Sequence, residues 1–445
     1  MKRPLTWRSL LIVAAAAGTL HGTSVGEPRA ASKETALTIR GSTNCPVIPS
    51  SGGPVYLELL VRADHHRRPI RRPVNLTVVV DRSGSMGSQQ KIENARSAVR
   101  AIIDQLQRDD IFSLVMYDDE VEVLSRSARV GDKDLLRCLV DEITPRGWTN
   151  LGGGLIEGIH QTERHAREDY INRVILLSDG LANRGITDPR KLGRITERAA
   201  HRGISLSAMG VGWDFNEELM VSLAEHGGGN YYFIESPRDL ASVFRKEFTR
   251  LGDIVASGTV IELRLDLDVR VRDVIGYGFE QEDGWCSIAV GDLMDGEERS
   301  IIVALDVPAG NGDKRLASGT VRSRNSESTA SFTSSVTYGD DPSVIERERD
   351  LNVQARADVA VSTRLVEEAL AALDAGDEAA AASRLDAAQE TLECSQAAGG
   401  AEPAVKVVRD QKERLEQYRR AVNEEGRRAK KAIHYDNYQR QKKQQ

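Results

Sequence analysis

Short apolar runs alternate with amphipathic segments through the middle of the chain, from residue 75 to residue 251. Apolar residues at i, i+3 and i+4 indicate a helix, whereas a short continuous apolar run is typical of a buried strand. Strands that alternate with helices predict a mostly parallel sheet with helices on both faces. The predicted strands are 76–80, 111–116, 121–124, 174–177, 204–211 and 231–234, and the predicted helices are 91–106, 151–165, 189–201, 216–225 and 237–251.

The pattern changes on both sides of this α/β region. Residues 27–54 contain scattered Gly, Ser and Pro and are predicted to be irregular, whereas residues 55–61 are predicted to form a strand. After residue 252 the chain alternates apolar and polar residues, which is typical of a small antiparallel β-domain that strand 55–61 could join. The segments with this alternation are 259–271, 287–290, 299–307 and 331–338.

The C-terminal part is rich in Ala, Glu and Arg from residue 342 onward. Apolar spacing predicts helices over 344–373 and 377–392, with a third over 405–422, so a helical hairpin or bundle is expected. The last stretch, 426–445, has many Lys, Arg and Gln residues and one aliphatic residue beyond Ala, Ile433. We expect this stretch to be a basic disordered tail.

The N-terminus has the pattern of an export signal. Three basic residues, Lys2, Arg3 and Arg8, precede a short apolar segment at 9–18, which predicts a signal peptide. An uncleaved anchor is the alternative, although a membrane span needs about 20 apolar residues. No later apolar run has that length, so the mature chain is predicted to lack a transmembrane span and to be periplasmic, on the cell surface or extracellular.

These patterns divide the chain into six parts. They are a signal peptide (1–26), an N-terminal segment with one strand that could join the β-domain (27–73), an α/β domain (74–252), an antiparallel β-domain (253–340), a helical region (341–425) and the basic tail (426–445). No feature of the sequence fixes the oligomeric state.

Composition narrows the functional classes. The 445 residues are 40% hydrophobic and 29% charged, with a net charge of −7, which suits folded domains and gives no case for nucleic-acid binding. The cysteines Cys45, Cys138, Cys286 and Cys394 are far apart and lack a close His partner, so a zinc site is poorly supported. An exported protein can hold disulfides. Cys45–Cys286 is one candidate pair, because both flank predicted β segments, and four free thiols are equally compatible.

Oxygen-bearing side chains follow the first strand of the α/β region. In the segment DRSGSM (81–86), Asp81, Ser83 and Ser85 occupy alternate positions directly after strand 76–80. Ligands bind at the carboxyl edge of such sheets, and oxygen ligands suit hard divalent cations. Alone, the segment is also typical of an ordinary turn. An EF-hand is excluded, because Met86 and Ile92 stand where that loop needs Gly and Glu.

Two later segments bring further oxygens to the same edge. GWTNLGGGL (147–155) places Thr149 just before a predicted helix, and LLSDG (176–180) ends a buried strand with Asp179. Since the carboxyl ends of parallel strands meet at one edge, these side chains are expected to lie near Asp81. Trp148, beside Thr149, is either a ligand-contacting residue or a packed loop residue.

Together these residues resemble the metal-ion-dependent adhesion site (MIDAS) of the von Willebrand factor type A (VWA) domains, whose pattern is Asp-x-Ser-x-Ser, then Thr, then Asp. The segments LLSDGLANRGITD (176–188) and GGGNYYFIES (227–236) are similar to those of exported bacterial members, although the usual Gly-Gly-Thr is here Gly-Trp-Thr. The resemblance covers roughly residues 74–252 and implies a Rossmann-like α/β fold. The matching residues are Asp81, Ser83, Ser85, Thr149 and Asp179.

The resemblance also implies a role for each residue. Ser83 and Ser85 would bind the metal directly, Thr149 directly or through water, and Asp81 and Asp179 largely through bound waters. Mg²⁺ is the expected ion, with Mn²⁺ or Ca²⁺ as alternatives. Because hydroxyls are neutral, the cation keeps affinity for an external anion. An Asp or Glu carboxylate of a partner protein would complete the octahedron.

Three functions follow as hypotheses. The first is an exported metal-dependent protein-binding module, acting in adhesion or in the assembly of an envelope complex. The second is a structural or assembly scaffold in which the metal only stabilises the fold. The third is a metal-assisted hydrolase, but no general base is evident and no Walker, HExxH or GxSxG motif is present. The chain is therefore not expected to be an enzyme.

Overall fold

The computed structural model describes residues 35–65, 71–425 and 427–443, so the predicted signal peptide lies outside the described residues. The strands are β1 (Thr35–Thr43), β2 (Val47–Ile48), β3 (Gly53–His65), β4 (Val74–Asp81), β5 (Ile111–Tyr117), β6 (Val121–Arg129), β7 (Ile171–Ser178), β8 (Ile204–Val211), β9 (Gly228–Ile234), β10 (Ile254–Leu265), β11 (Arg270–Ile275), β12 (Phe279–Glu282), β13 (Trp285–Met294), β14 (Glu298–Val307), β15 (Asp313–Ser323) and β16 (Ser326–Tyr338). The α-helices are α1 (Lys91–Gln105), α2 (Lys133–Asp141), α3 (Leu151–Glu163), α4 (Pro189–His201), α5 (Glu217–His226), α6 (Leu240–Gly252), α7 (Pro342–Arg347), α8 (Leu351–Asp374), α9 (Glu378–Ala398), α10 (Glu402–Glu425) and α11 (Arg427–Lys443).

The central sheet has the strand order β6-β5-β4-β7-β8-β9. Its neighbours are parallel except for the β5–β6 pair, which is antiparallel. Every residue of β4, β5 and β7 is buried, because α1 and α6 pack on one face and α3, α4 and α5 on the other. The predicted Rossmann-like α/β fold is therefore confirmed.

Two further sheets form a β-sandwich around a separate apolar core. One sheet has the order β1-β3-β14-β11 and the other β12-β13-β10-β15-β16-β2. The N-terminal segment enters this sandwich, since β3 pairs with β14 as well as with β1. The prediction that residues 27–54 are irregular is wrong for β1, where Leu37 and Ile39 alternate with exposed residues and reach the core.

The candidate disulfide Cys45–Cys286 is not formed, and the alternative of four free thiols is the arrangement found. Cys286 is buried in the sandwich core and Cys45 packs at its border. Burial raises the pKa of the Cys286 thiol to about 11, so this thiol stays protonated at neutral pH.

The C-terminal helices differ from the prediction in two ways. The helix expected over 344–373 is divided into α7 and α8, and Asp350 caps α8 by accepting from the backbone N–H groups of Asn352 and Val353. The expected disordered tail is wrong for α11, which packs against α8, α5 and β9. The helix buries Tyr438 fully. The prediction counted only aliphatic side chains and therefore missed this aromatic contact. None of the helices described for this chain combines the length and the apolar character that a membrane span requires.

Candidate metal centre

The two predicted carboxylates lie side by side because β4 and β7 are adjacent parallel strands. Val80 pairs with Leu177 in this register, so Asp81 ends β4 at the level where β7 ends. Asp179 follows β7 directly and is fully buried, as is Asp81. The carboxyl edge of the sheet thus holds both acids, as expected from the strand positions.

The serine loop joins these two carboxylates through hydrogen bonds. The backbone N–H of Ser83 donates to Asp81 Oδ1 at 2.8 Å. The hydroxyls of Ser83 and Ser85 are 3.1 Å apart, and Ser85 Oγ donates to Asp179 Oδ1 at 2.7 Å. Four of the predicted ligands therefore form one continuous polar group.

Thr149 reaches the same place from the loop before α3. Its backbone N–H donates to Asn183 Oδ1 at 2.9 Å, which ties this loop to the one that follows Asp179. A methyl group placed on Gly180 would lie 3.5 Å from Thr149 Oγ1 and 3.6 Å from Ser85 Oγ. Both hydroxyls therefore border the space beside Gly180, and the structure brings all five predicted residues together.

Asp81 carries an unfavourable buried charge. Burial raises its pKa to about 6, and the nearby Asp179 carboxylate adds to this, whereas hydrogen bonds from Ser83 and Ser178 oppose it. Ser178 Oγ donates to Asp81 Oδ2 at 2.7 Å. A cation beside Asp81 would favour the ionised carboxylate.

Lys91 is a member of this site that the sequence did not reveal. Its Nζ lies 2.7 Å from Asp179 Oδ2, and both side chains are buried. The neighbouring Gly212 has a φ of +76°, and a methyl group there would lie 3.6 Å from Lys91 Nζ. The sequence pattern does not identify Lys91 as a site residue. It is the first residue of an amphipathic helix, and a lysine in such a position is usually exposed on the surface.

The donor set fits a hard divalent cation. Hydroxyl and carboxylate oxygens are the ligands of Mg²⁺, Mn²⁺ and Ca²⁺, and the structure gathers three hydroxyls and two carboxylates at one edge. With Lys91 counted, the two aspartates leave one net negative charge to be neutralised. A bound cation would supply a Lewis-acidic, positively charged centre held by Ser83, Ser85 and Thr149, with Asp81 and Asp179 behind them.

Exposed apolar side chains flank these ligands. Trp148 and Leu181 are each 58% exposed and stand next to Thr149 and near Asp179 in the chain. The Arg184 guanidinium lies 5.4 Å from the centre of the Trp148 ring. Of the two interpretations of Trp148, the exposed position favours ligand contact over loop packing.

The acidic turn after β5 does not resemble a second cation site. Asp118 is buried and its Oδ2 lies 2.7 Å from Arg82 Nε and 2.6 Å from Arg146 Nε. These guanidinium groups already neutralise the carboxylate. Arg82 stands between Asp81 and Ser83 in the chain, so its ion pair with Asp118 also fixes the serine loop to the turn after β5.

Comparisons with known proteins identify the domain. Residues 75–246 match the family model of the von Willebrand factor type A domain. A solved von Willebrand factor type A protein from Catenulispora acidiphila superposes with a TM-score of 0.69 at 18% identity, covering 86% of this chain and 91% of that one. The ArnB paralog VWA2 from Sulfolobus acidocaldarius gives a TM-score of 0.61 at 16% identity, covering 92% and 98%. At these identities the likeness shows the fold alone.

A curated relative adds sequence similarity without a known activity. An uncharacterized protein of Synechocystis is 25% identical over 268 residues, which are 58% of this chain and 62% of the relative. The chain therefore spans less than two thirds of that relative's length.

Proposed function

We propose that the VWA domain, which the chain carries over residues 75–246, is a metal-dependent protein-binding module that recognises an acidic residue of a partner. One observation carries the proposal: three hydroxyls and two carboxylates meet at one sheet edge beside exposed apolar side chains. The proposal places the protein outside the cytoplasm, in the periplasm, on the cell surface or in the medium, with a role in adhesion or envelope assembly.

The charge balance of the site supports an anionic ligand. Asp81 and Asp179 contribute two negative charges and Lys91 one positive charge. A divalent cation would leave the site with one net positive charge, which an Asp or Glu carboxylate of a partner would neutralise. Mg²⁺ suits this role because it retains exchangeable waters and prefers octahedral oxygen coordination.

The surroundings of the site support a protein ligand. Trp148 and Leu181 offer apolar contact area next to the cation position. Exposed aromatic residues of this kind supply much of the binding energy in protein interfaces. Arg184, stacked on Trp148, adds a cationic group to the rim. A partner that presents a carboxylate flanked by apolar side chains would match this surface.

Calorimetry with Mg²⁺ and a pull-down from native envelope extract test the proposal. Wild-type protein is expected to bind one Mg²⁺ and to capture its partner only with the metal present. Asp81→Ala and Ser83→Ala should abolish both. Ser97→Ala is the matched control, because Ser97 is an exposed serine of α1 that donates to Glu93 O. Mg²⁺ binding that is unchanged in Asp81→Ala would overturn the metal assignment.

Lys91 gives specific support to a second candidate, a scaffold in which the metal is only stabilising. Its ammonium already compensates Asp179, so the fold would tolerate a metal-free site. This candidate requires partner capture to survive both EDTA and Thr149→Ala. The binding proposal includes no catalytic step. Screening the protein for hydrolase activity with and without EDTA tests this part of the proposal.

A further inference from the structure

A second group of metal-ligating side chains lies where the VWA domain meets the β-sandwich. Glu197 and His201 stand one turn apart on α4, and Glu280 reaches them from β12. One ligand atom from each residue lies within 4.8 Å of the other two, and His201 Nε2 is 3.9 Å from Glu280 Oε1. We propose that these three residues bind a divalent transition-metal cation of the Zn²⁺ class and thereby link the two domains.

The ligand chemistry differs from that of the MIDAS edge. An imidazole nitrogen with two carboxylates is a set that suits Zn²⁺, whereas hydroxyls and aspartates suit Mg²⁺. With a neutral His201, the two carboxylates balance a divalent charge. His201 is also the last residue of α4, where the helix dipole favours positive charge.

The distances are compatible with closure around an ion. Bonds of about 2.0 Å in a tetrahedral zinc site put neighbouring ligand atoms roughly 3.3 Å apart. The His201 and Glu280 side chains are 50% and 60% exposed, so both have room to change rotamer toward that spacing.

The adjoining cavity leaves room for water beside the three ligands. Glu197, His201 and Glu280 all line a cavity of about 190 Å³ between the domains. A polar cavity of this size holds water, and such waters would complete the coordination of an ion at its edge.

The backbone at this helix end is already engaged, which leaves the side chains as ligands. The Arg324 guanidinium donates to the carbonyl oxygens of Ala200 and His201. Arg324 follows β15, so this contact joins the same two domains. A cation held by Glu197, His201 and Glu280 would add a second connection across the cleft.

Zn²⁺ calorimetry on the metal-free full-length protein tests the site. The parent for this experiment carries Asp81→Ala and Ser83→Ala, which remove the MIDAS edge as a competing site. His201→Ala in this parent is expected to lose one bound Zn²⁺, and Glu280→Gln to weaken that binding by at least about tenfold. His160→Ala is the matched control, because His160 is an exposed helical histidine 3.9 Å from Glu157, and it should bind as the parent does.

Co²⁺ absorption and hydrogen exchange give independent readings. Co²⁺ should give visible bands that His201→Ala removes, and Zn²⁺ should slow exchange in β12 and in the last turn of α4. Matching thermal melts of the metal-free variants would show that they fold. If His201→Ala and Glu280→Gln bind Zn²⁺ as the parent does, the site does not exist. This result is independent of Mg²⁺ binding at the MIDAS edge, so each proposal can fail alone.

Discussion

Buried charged residues lie at both ends of strand β7, and their carboxylates are hydrogen-bonded in different ways. Near its start, Arg173 Nη2 lies 2.7 Å from Asp292 Oδ2, and its Nη1 lies 3.7 Å from Glu247 Oε1. At its finish, Asp179 lies beside Asp81, with Lys91 as the compensating cation. Each end therefore has one cation and two carboxylates, so the two ends differ in hydrogen bonding and exposure rather than in net charge.

Hydrogen bonding and exposure distinguish the two ends. Glu247, which is fully buried, accepts from Tyr232 OH at 2.6 Å, from Asn230 Nδ2 at 3.1 Å and from Ser207 Oγ. Its charge is therefore satisfied inside the protein. Ser85 at the other end is exposed and its hydroxyl can turn toward an external ligand. We call the Arg173 end saturated, because the Glu247 carboxylate finds its hydrogen-bond donors inside the protein, and the Asp179 end unsaturated, because Ser85 is exposed. The first arrangement indicates a structural joint and the second a binding site.

The largest expected effect is at the saturated end. Arg173→Met removes the guanidinium that pairs with the fully buried Glu247 and with Asp292, so the free energy of unfolding is expected to fall by about 3–5 kcal/mol. Urea denaturation measures this. In the control Arg167→Met, the exposed pair with Asp169 is removed and stability should change by less than about 1 kcal/mol. Equal losses in both variants would remove the contrast between the two ends.

Lys91→Met sharpens the comparison at the unsaturated end. Without Mg²⁺ it leaves Asp179 buried and unpaired, and stability should fall by roughly 3 kcal/mol. Mg²⁺ should bind this variant more tightly than wild type, because the competing ammonium is gone, and should restore most of the lost stability. Calorimetry and urea denaturation with and without Mg²⁺ measure both effects. A variant that gains nothing from Mg²⁺ would show that no cation replaces Lys91.

The fold was largely predictable because its signals are local. Buried apolar runs and helical spacing located the central strands, and strand ends placed Asp81 and Asp179 at one edge. The predictions that were wrong concern segments whose structure depends on packing against other elements. The β1 strand is stabilised by pairing with β3, and α11 is basic along its length but buries aromatic rings such as Tyr438 against β9.

The site was predicted from its motif, and its charge balance was not. Asp81, Ser83, Ser85, Thr149 and Asp179 follow a pattern that is visible in the chain. Lys91 belongs to the site because the fold brings the start of α1 close to the end of β7. The spacing of residues in the sequence does not indicate this contact. Arg173 is similar: it stands in an apolar strand, and its partner Asp292 is 119 residues away.

The raised pKa of Asp81 predicts a pH effect on the metal-free protein. The folded-state pKa of about 6 exceeds the ordinary aspartate value of 3.8, so the folded form binds the proton more tightly and stability falls as pH rises from 3.8 through 6. Because each pKa unit corresponds to about 1.4 kcal/mol, unfolding in EDTA should be roughly 2 kcal/mol less favourable at pH 4.5 than at pH 7 from this group. The difference between wild type and Asp81→Asn isolates it. Parallel pH curves for the two proteins would contradict the prediction.

The smallest expected effect on stability comes from a hydrogen bond that α11 makes near the Arg173 end of β7. Tyr438 OH donates to Gly229 O at 3.1 Å, and a methyl group on Gly229 would lie 2.7 Å from Arg173 Nη1. Tyr438→Phe removes this hydrogen bond and should lower the free energy of unfolding by about 1 kcal/mol, while Mg²⁺ affinity stays unchanged. Tyr435→Phe is the control, since Tyr435 packs edge-on against the same Tyr231 ring as Tyr438 does. A change in Mg²⁺ affinity in Tyr438→Phe would mean that the two ends of β7 are coupled, and the separation between structural joint and binding site would then have to be abandoned.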